Sequence, residues 1–183
     1  MGANINTRSG KVQRALNVAR PSWNKVYEGY PKVERNGMID DLDAHSVFTS
    51  IFGKDYDSST FGNACATRLS LGLLNAGVKI RGEYPILQGP FKGKSVIVSA
   101  ANMVKWLNNN FGKPEETIPS PKEYRNIVDR IGNRKGIYAM KPNSPRDFRA
   151  SGHVTLWVNG NVIGGEGHSY YKAAFEIYFW ELK

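Results

Sequence analysis

The chain has 183 residues, with 25 Lys plus Arg against 16 Asp plus Glu, a formal charge of +9, 40% hydrophobic and 22% charged residues. That length buries a core without covalent staples, and a single cysteine excludes both an intrachain disulfide and a cysteine-based zinc cluster. The basic residues are scattered with no run of four, which favours a solvated basic face over a dedicated nucleic-acid groove.

No apolar segment reaches the roughly 18 residues needed to span a bilayer. The opening Met1-Gly-Ala-Asn-Ile-Asn-Thr-Arg lacks an apolar signal core. The sequence therefore predicts a chain made in the cytoplasm, without membrane insertion, that leaves by another route if it acts outside.

Residues 1–19 are predicted to be a mobile basic arm, with a short helix as the alternative up to about residue 17, and residues 20–183 a single domain. Pro21 and Ser22 open a helix to about Glu28 with Trp23, Val26 and Tyr27 on its apolar face. A second helix runs from Asp41 or Asp43 to Phe52. His45 lies on or near it and reads as structural or solvent-facing.

The stretch Phe61-Gly-Asn-Ala-Cys-Ala-Thr-Arg-Leu-Ser holds the one cysteine. Asn63 is a good cap, and the run from Ala64 to Asn75 is rich in Ala and Leu before Gly77 stops it. Cys65 thus falls in a first helical turn, where unpaired N–H groups and the helix dipole favour a thiolate. A buried apolar filler is the competing reading of such a cysteine. Gly72 in mid-helix suggests the close approach of a neighbouring element.

Residues 78–98 read as short strands and turns, broken by Gly82, Pro85, Gly89, Pro90 and Gly93. Ser99 caps a helix over 100–109. A proline-rich linker over 114–121 leads to a helix over 121–131, opened by Ser120 with Glu123 at capping-box spacing. The period then becomes extended, with strands over 136–140, 152–158 and 173–182 and a loop over 141–151. Helices first and strands last predict an α+β fold, N-terminal helices packed on a C-terminal antiparallel sheet.

The strand Gly152-His-Val-Thr-Leu-Trp-Val places His153, Thr155 and Trp157 on one side, and Val154, Leu156 and Val158 on the other, core side. Asn159-Gly160 is a strong two-residue hairpin signal. Counting back from that turn pairs Val158 with Asn161 and Trp157 with Val162, and brings His153 opposite Glu166. Directly opposed side chains lie about 4.5–5.5 Å apart at Cβ, so Glu166 would accept the ring N–H of His153. A bulge or longer loop would hand that place to Asn161 or His168. Three histidines and one cysteine make a metal site improbable, and no cofactor-binding motif appears.

The combination Asn63-Ala-Cys-Ala-Thr-Arg-Leu-Ser, Ser151-Gly-His-Val-Thr-Leu-Trp and Ile177-Tyr-Phe-Trp-Glu-Leu resembles the family-4 amidase effectors of bacterial type VI secretion. Arg20-Pro-Ser-Trp-Asn and Ser99-Ala-Ala-Asn look like that family too, so the resemblance runs from about residue 20 to the end. It implies a papain-like, NlpC-type cysteine amidase that acts in the periplasm of a rival bacterium. Its substrate would be the peptidoglycan stem peptide, cut between the γ-carboxyl of D-glutamate and meso-diaminopimelate, and its partners the secretion apparatus and a cognate immunity protein. By motif the nucleophile falls on Cys65, the base on His153 and the third residue, usually an aspartate, on Glu166. Two other readings stand beside it: a remodelling or phage lytic amidase, and a non-catalytic basic binding protein.

Overall fold

The computed structural model describes residues 3–9 and 12–183, with side chains from residue 19. Strands β1 (Ala3–Ser9) and β2 (Val12–Val18) pair antiparallel, Ala3 with Val18 through Ser9 with Val12. The short-helix reading of this segment is therefore replaced by a hairpin. Its β-branched residues (Ile5, Thr7, Val12, Val18) favour extended backbone. Residues 1–2 and 10–11 of the predicted arm lie outside the described residues.

Helix α1 (Trp23–Gly29) follows, then strands β3 (Lys32–Arg35) and β4 (Met38–Asp41), a hairpin turning at Asn36-Gly37 and not among the elements expected above. Helix α2 (Ala44–Phe52) starts at Asp43, whose side chain accepts from the Ser46 N–H. Helix α3 (Cys65–Asn75) is the centre of the molecule. Every residue from Cys65 to Leu74 is buried. A Cβ on Gly72 would lie 2.8 Å from the Val26 carbonyl oxygen, so the glycine marks the contact of α1 with α3.

Two short strands, β5 (Tyr84–Pro85) and β6 (Ser95–Val96), precede helix α4 (Ala100–Phe111), capped by Ser99. The proline-rich stretch expected as linker contains strand β7 (Glu116–Pro119). Helix α5 (Tyr124–Ile131) begins later than predicted. Ser120 has left-handed backbone, and Glu123 with Asn126 forms the capping box instead. Strand β8 (Gly136–Pro142), helix α6 (Pro145–Phe148), strand β9 (His153–Val158), strand β10 (Asn161–Val162) and strand β11 (Ala174–Glu181) complete the chain. The single-turn helix α6 lies inside the segment predicted to be loop.

The principal sheet has the order β10-β9-β8-β11-β7, antiparallel throughout, as the α+β reading required. Both its faces are covered. Val154, Leu156, Ile137, Ala139 and Trp180 pack with the helices around α3. Tyr138, Met140, Trp157, Ile177 and Phe179 pack with Ile127 and Ile131 of α5. The alternation along β9 is therefore apolar against mostly apolar, and the side with His153 is not the polar surface that the pattern suggested.

Arg20 ties the entry of this body to its far end. Its guanidinium reaches Glu115 at 2.6 Å and the carbonyls of Phe111, Lys113 and Glu181 at 3.0–3.3 Å, while the Trp23 N–H donates to the Lys183 carbonyl at 2.7 Å.

Candidate active site

Cys65 opens α3 and is 2% exposed; His153 opens β9 and is 5% exposed. The helix packs on that strand so that the Val154 N–H, next in the chain to His153, is directed at the Cys65 sulfur. Gly152, with φ of 149°, lets the chain pass close to β8 immediately before the histidine. A Cβ there would lie 2.6 Å from the Met140 carbonyl oxygen. Met140 is the partner of His153 across β8 and β9.

Two adjoining clefts open at these residues. One of about 190 Å³ is lined by Cys65, Phe61, Ala100 and Ser151; the other, of about 370 Å³, is lined by His153, His168, Asp40, Asp41, Arg68 and Tyr170. Gly62 and Asn63 border both. The Asn63 side-chain oxygen accepts the Cys65 N–H at 3.0 Å, so the backbone donor at the helix start is covered by that amide.

The electrostatics differ from the thiolate expected of a helix start. Burial pushes the Cys65 thiol up, and this outweighs the downward pull of the Val154 N–H and of the Arg68 guanidinium. Burial also drives His153 down to about 3, helped by the neighbouring charges of His168 and Arg68. Both shifts favour the uncharged forms, a thiol and a neutral imidazole. His153 Nε2 is buried without a hydrogen-bond partner among the described residues.

Glu166 is not opposite His153. The predicted register holds for Val158 with Asn161 and Trp157 with Val162, and the Ile163 N–H still donates to the Leu156 carbonyl. The ladder then ends. Gly164 and Gly165 turn with positive φ, the Gly164 N–H goes to the Ile39 carbonyl, and Glu166 begins a 3₁₀ turn, exposed, facing a separate depression beside Phe148 and Tyr171. Asn161 is also remote, its side-chain oxygen taken by the Tyr124 hydroxyl and the Val162 N–H.

His168 is the alternative that does enter the cleft of His153. Its ring fills the space where a Cβ of Gly164 would stand, and its Nδ1 lies 3.7 Å from Asp40 and 3.9 Å from Asp41. Between the two imidazoles sits Tyr170, a residue that the sequence reading missed. It meets His153 edge-on at 4.8 Å between centroids and stacks parallel to His168 at 6.3 Å, with left-handed backbone at φ of 51°. Nothing in its local sequence distinguished it from Tyr171. His45 is exposed against the Tyr56 hydroxyl, outside both clefts.

Beneath the site, Arg68 donates to the Leu42 carbonyl at 2.7 Å and meets Asp41 at 3.5 Å. The Tyr30 hydroxyl joins Asp41 at 2.8 Å and Thr155 at 3.3 Å, linking α1, β4, α3 and β9. Among the described residues no group of three or more His, Cys, Asp or Glu converges as a metal site, and no helix is long and apolar enough to cross a membrane.

The family model of the type VI secretion system (T6SS) amidase effector protein 4, Tae4, matches residues 61–180, a span that includes both Cys65 and His153. Among solved structures the chain is similar to that of the Tae4/Tai4 effector–immunity system of Salmonella typhimurium, selenomethionine variant. The identity is 27% and the TM-score 0.66, over 90% of this chain and 100% of that one. It is also similar to the type VI effector Tae4 of Enterobacter cloacae, with 22% identity and a TM-score of 0.69 over 92% of this chain and 100% of that one. The Tae4–Tai4 effector–immunity complex from Enterobacter cloacae matches with 23% identity and a TM-score of 0.64, over 90% of this chain and 100% of that chain. No curated protein matches the sequence. The fold shared with these structures is papain-like and of the NlpC type, mixing helices with an antiparallel sheet.

Proposed function

The chain belongs to the family of type VI secretion amidase effectors, the Tae4 family, and from that membership we propose that it cuts peptidoglycan stem peptides by attack of Cys65 with His153 as base. The bond is the one between the γ-carboxyl of D-glutamate and meso-diaminopimelate. The site of action is the periplasm of a target bacterium, reached through the secretion apparatus, and a cognate immunity protein protects the producer, as the effector–immunity complexes of its structural relatives suggest by analogy. The observation that carries the catalytic reading is the packing of the sole cysteine, at the start of a buried helix, against the residue that follows His153.

The step is read as general-base catalysis. His153 takes the thiol proton as the sulfur bonds to the amide carbon. The oxyanion develops at the corner where the Cys65 N–H and the Asn63 amide meet, with the substrate oxygen taking the place that Asn63 Oδ1 now holds. The imidazolium then protonates the diaminopimelate nitrogen as the C–N bond breaks, and water, deprotonated by His153, releases the thioester. The third role falls to the wall formed by Tyr170 and His168, with Asp40 and Asp41 behind it, in place of Glu166.

Incubation with purified muropeptides followed by mass analysis tests this directly. The expected products are a fragment ending in D-glutamate and one beginning with diaminopimelate, and Cys65→Ala yields neither while keeping the circular dichroism of the parent. Undiminished cleavage by that variant would refute the mechanism.

A further inference from the structure

The loop that leads into β9 carries a cation to the cysteine cleft. Arg149 ends α6 with left-handed backbone, φ 59° and ψ 25°, a place that glycine or asparagine usually fills. Strained backbone of this kind gathers at ligand-binding positions. Two residues on, Ser151 pins the loop to the start of α4: its hydroxyl accepts the Ala101 N–H and meets that of Ser99, both at 3.2 Å. Arg149 thereby lines the cleft of about 190 Å³ that also holds Cys65. Among the described residues it is the only charged one in that lining, and Phe48, Phe61, Val98 and Ala100 give the cleft its apolar surface. Arg149 is exposed, and among the described residues no carboxylate lies within ion-pair distance of its guanidinium. Glu83, which accepts the Val98 N–H at 2.8 Å, and Asp147, two residues before Arg149, both stay out of the lining.

We infer that Arg149 pairs the α-carboxylate of the D-glutamate whose γ-carbonyl Cys65 attacks, and so selects stems in which that carboxylate is free. The inference rests on the amidase reading above. His153 protonates the departing nitrogen, so the leaving half lies over the cleft that His153 lines, and the acyl half in the cleft that Cys65 lines without it. At about 190 Å³ that cleft is smaller than the ~300–1,000 Å³ of common ligand sites, and it takes one substrate residue. The residue that must sit there is the γ-linked D-glutamate. Two methylenes run from the attacked carbonyl to an α-carbon whose carboxylate is the residue's one ionised group. Its nitrogen is tied in the amide bond to the residue before it, so no ammonium offsets that charge. An apolar surface for the methylenes and one unpaired guanidinium for the carboxylate match it, with a planar fork that a lysine does not reproduce. Arg149 governs which stem is bound, and it does not enter the covalent steps. A stem amidated at that carboxyl, carrying D-isoglutamine, offers a neutral group there and is the poorer substrate.

The test uses the full chain carrying Cys65→Ala, titrated by calorimetry with a disaccharide-tripeptide muropeptide and with the same muropeptide amidated at the α-carboxyl of D-glutamate. Amidation is expected to weaken binding by roughly tenfold, the scale of one charge-assisted contact. Adding Arg149→Gln is expected to weaken the acid form by as much, to leave the amidated form little changed, and so to erase the difference between them; Arg149→Lys keeps part of it. The side chain is exposed, and an unchanged melting temperature verifies the fold of both variants. The two ligands compared on the Cys65→Ala chain test the inference without any change at Arg149. Equal affinity for both ligands, binding of neither, discrimination that survives Arg149→Gln, or an equal loss for both ligands on that substitution would each overturn the inference. Turnover by the unsubstituted chain is read separately: absent turnover with intact discrimination strikes the amidase reading and leaves the carboxylate contact, whereas turnover without discrimination strikes the contact alone.

Discussion

Arg68, one turn along the helix from Cys65, and Asp41, at the end of β4, meet at 3.5 Å with about a tenth of either side chain exposed. Desolvation acts on Asp41 more strongly than the guanidinium does, and it holds the carboxyl above its ordinary range. The pair is thus a modest source of stability whose loss still strands a buried cation. Asp41→Asn is expected to cost about 1–3 kcal/mol in urea unfolding, and Arg68→Met more, because the Leu42 carbonyl also loses its donor.

The depressed His153 fixes two pH dependences. The unfolded chain binds its imidazole proton below about 6.5, whereas the folded one does so only near 3. Between those values the unfolded state holds more protons, so the stability contribution is complete above the unfolded value and is lost as pH falls through the window. Asp41 acts with opposite sign at the lower end, since its raised folded value favours the folded state as pH drops. Comparing the unfolding free energy of the parent with that of His153→Gln from pH 7 to 4 isolates the histidine: the parent is expected to lose stability more steeply. For activity, the acid limb of kcat/KM is expected below the ordinary histidine range, because the base stays neutral there; a limb at 6.5 would indicate an exposed imidazole.

Glu166 and His168 can be separated by kinetics. Glu166 is exposed and outside the cleft, so Glu166→Gln is expected to leave kcat within about twofold. His168→Ala removes the group stacked behind Tyr170 and is expected to lower kcat by about tenfold or more, the lower range of a positioned acid–base contribution. The reverse ranking would return the third role to Glu166.

Gly72→Ala gains helix propensity, yet its Cβ meets the Val26 carbonyl oxygen at 2.8 Å, a backbone atom that cannot swing aside. The expected net cost is about 1–3 kcal/mol, read as a lower melting temperature. A neutral or stabilising result would show that α1 can back away from α3.

The residues explain why some of this was legible in advance. The placement of Cys65 at a helix start and of His153 on a strand was legible because helix starts and alternating strands are local patterns, and the Asn159-Gly160 turn fixed the first pairs of its hairpin correctly. The count failed at Gly164, where two glycines of positive φ redirect the chain to Ile39, a partner more than a hundred residues away in sequence. Strand β7 was hidden among prolines, and it exists because an edge of the sheet beside β11 accepts it. The β3–β4 hairpin, which delivers Asp40 and Asp41, turns at Asn36-Gly37, the same dipeptide signal as Asn159-Gly160, but its short strands lack the apolar alternation that would have marked them. The third wall of the site is assembled from these non-local pieces, so no local pattern could name it.

The Arg20 contacts have a bearing on how the molecule comes apart. One side chain holds the ends of α4 and β11 and the approach to β7, while the Trp23 N–H grips the Lys183 carbonyl. The last strand cannot be peeled from the sheet without first releasing the segment that leads into α1, which itself lies against α3. Opening from either terminus is therefore one event, and the amides of α1, α3 and β11 should exchange with solvent together, at the rate of the whole.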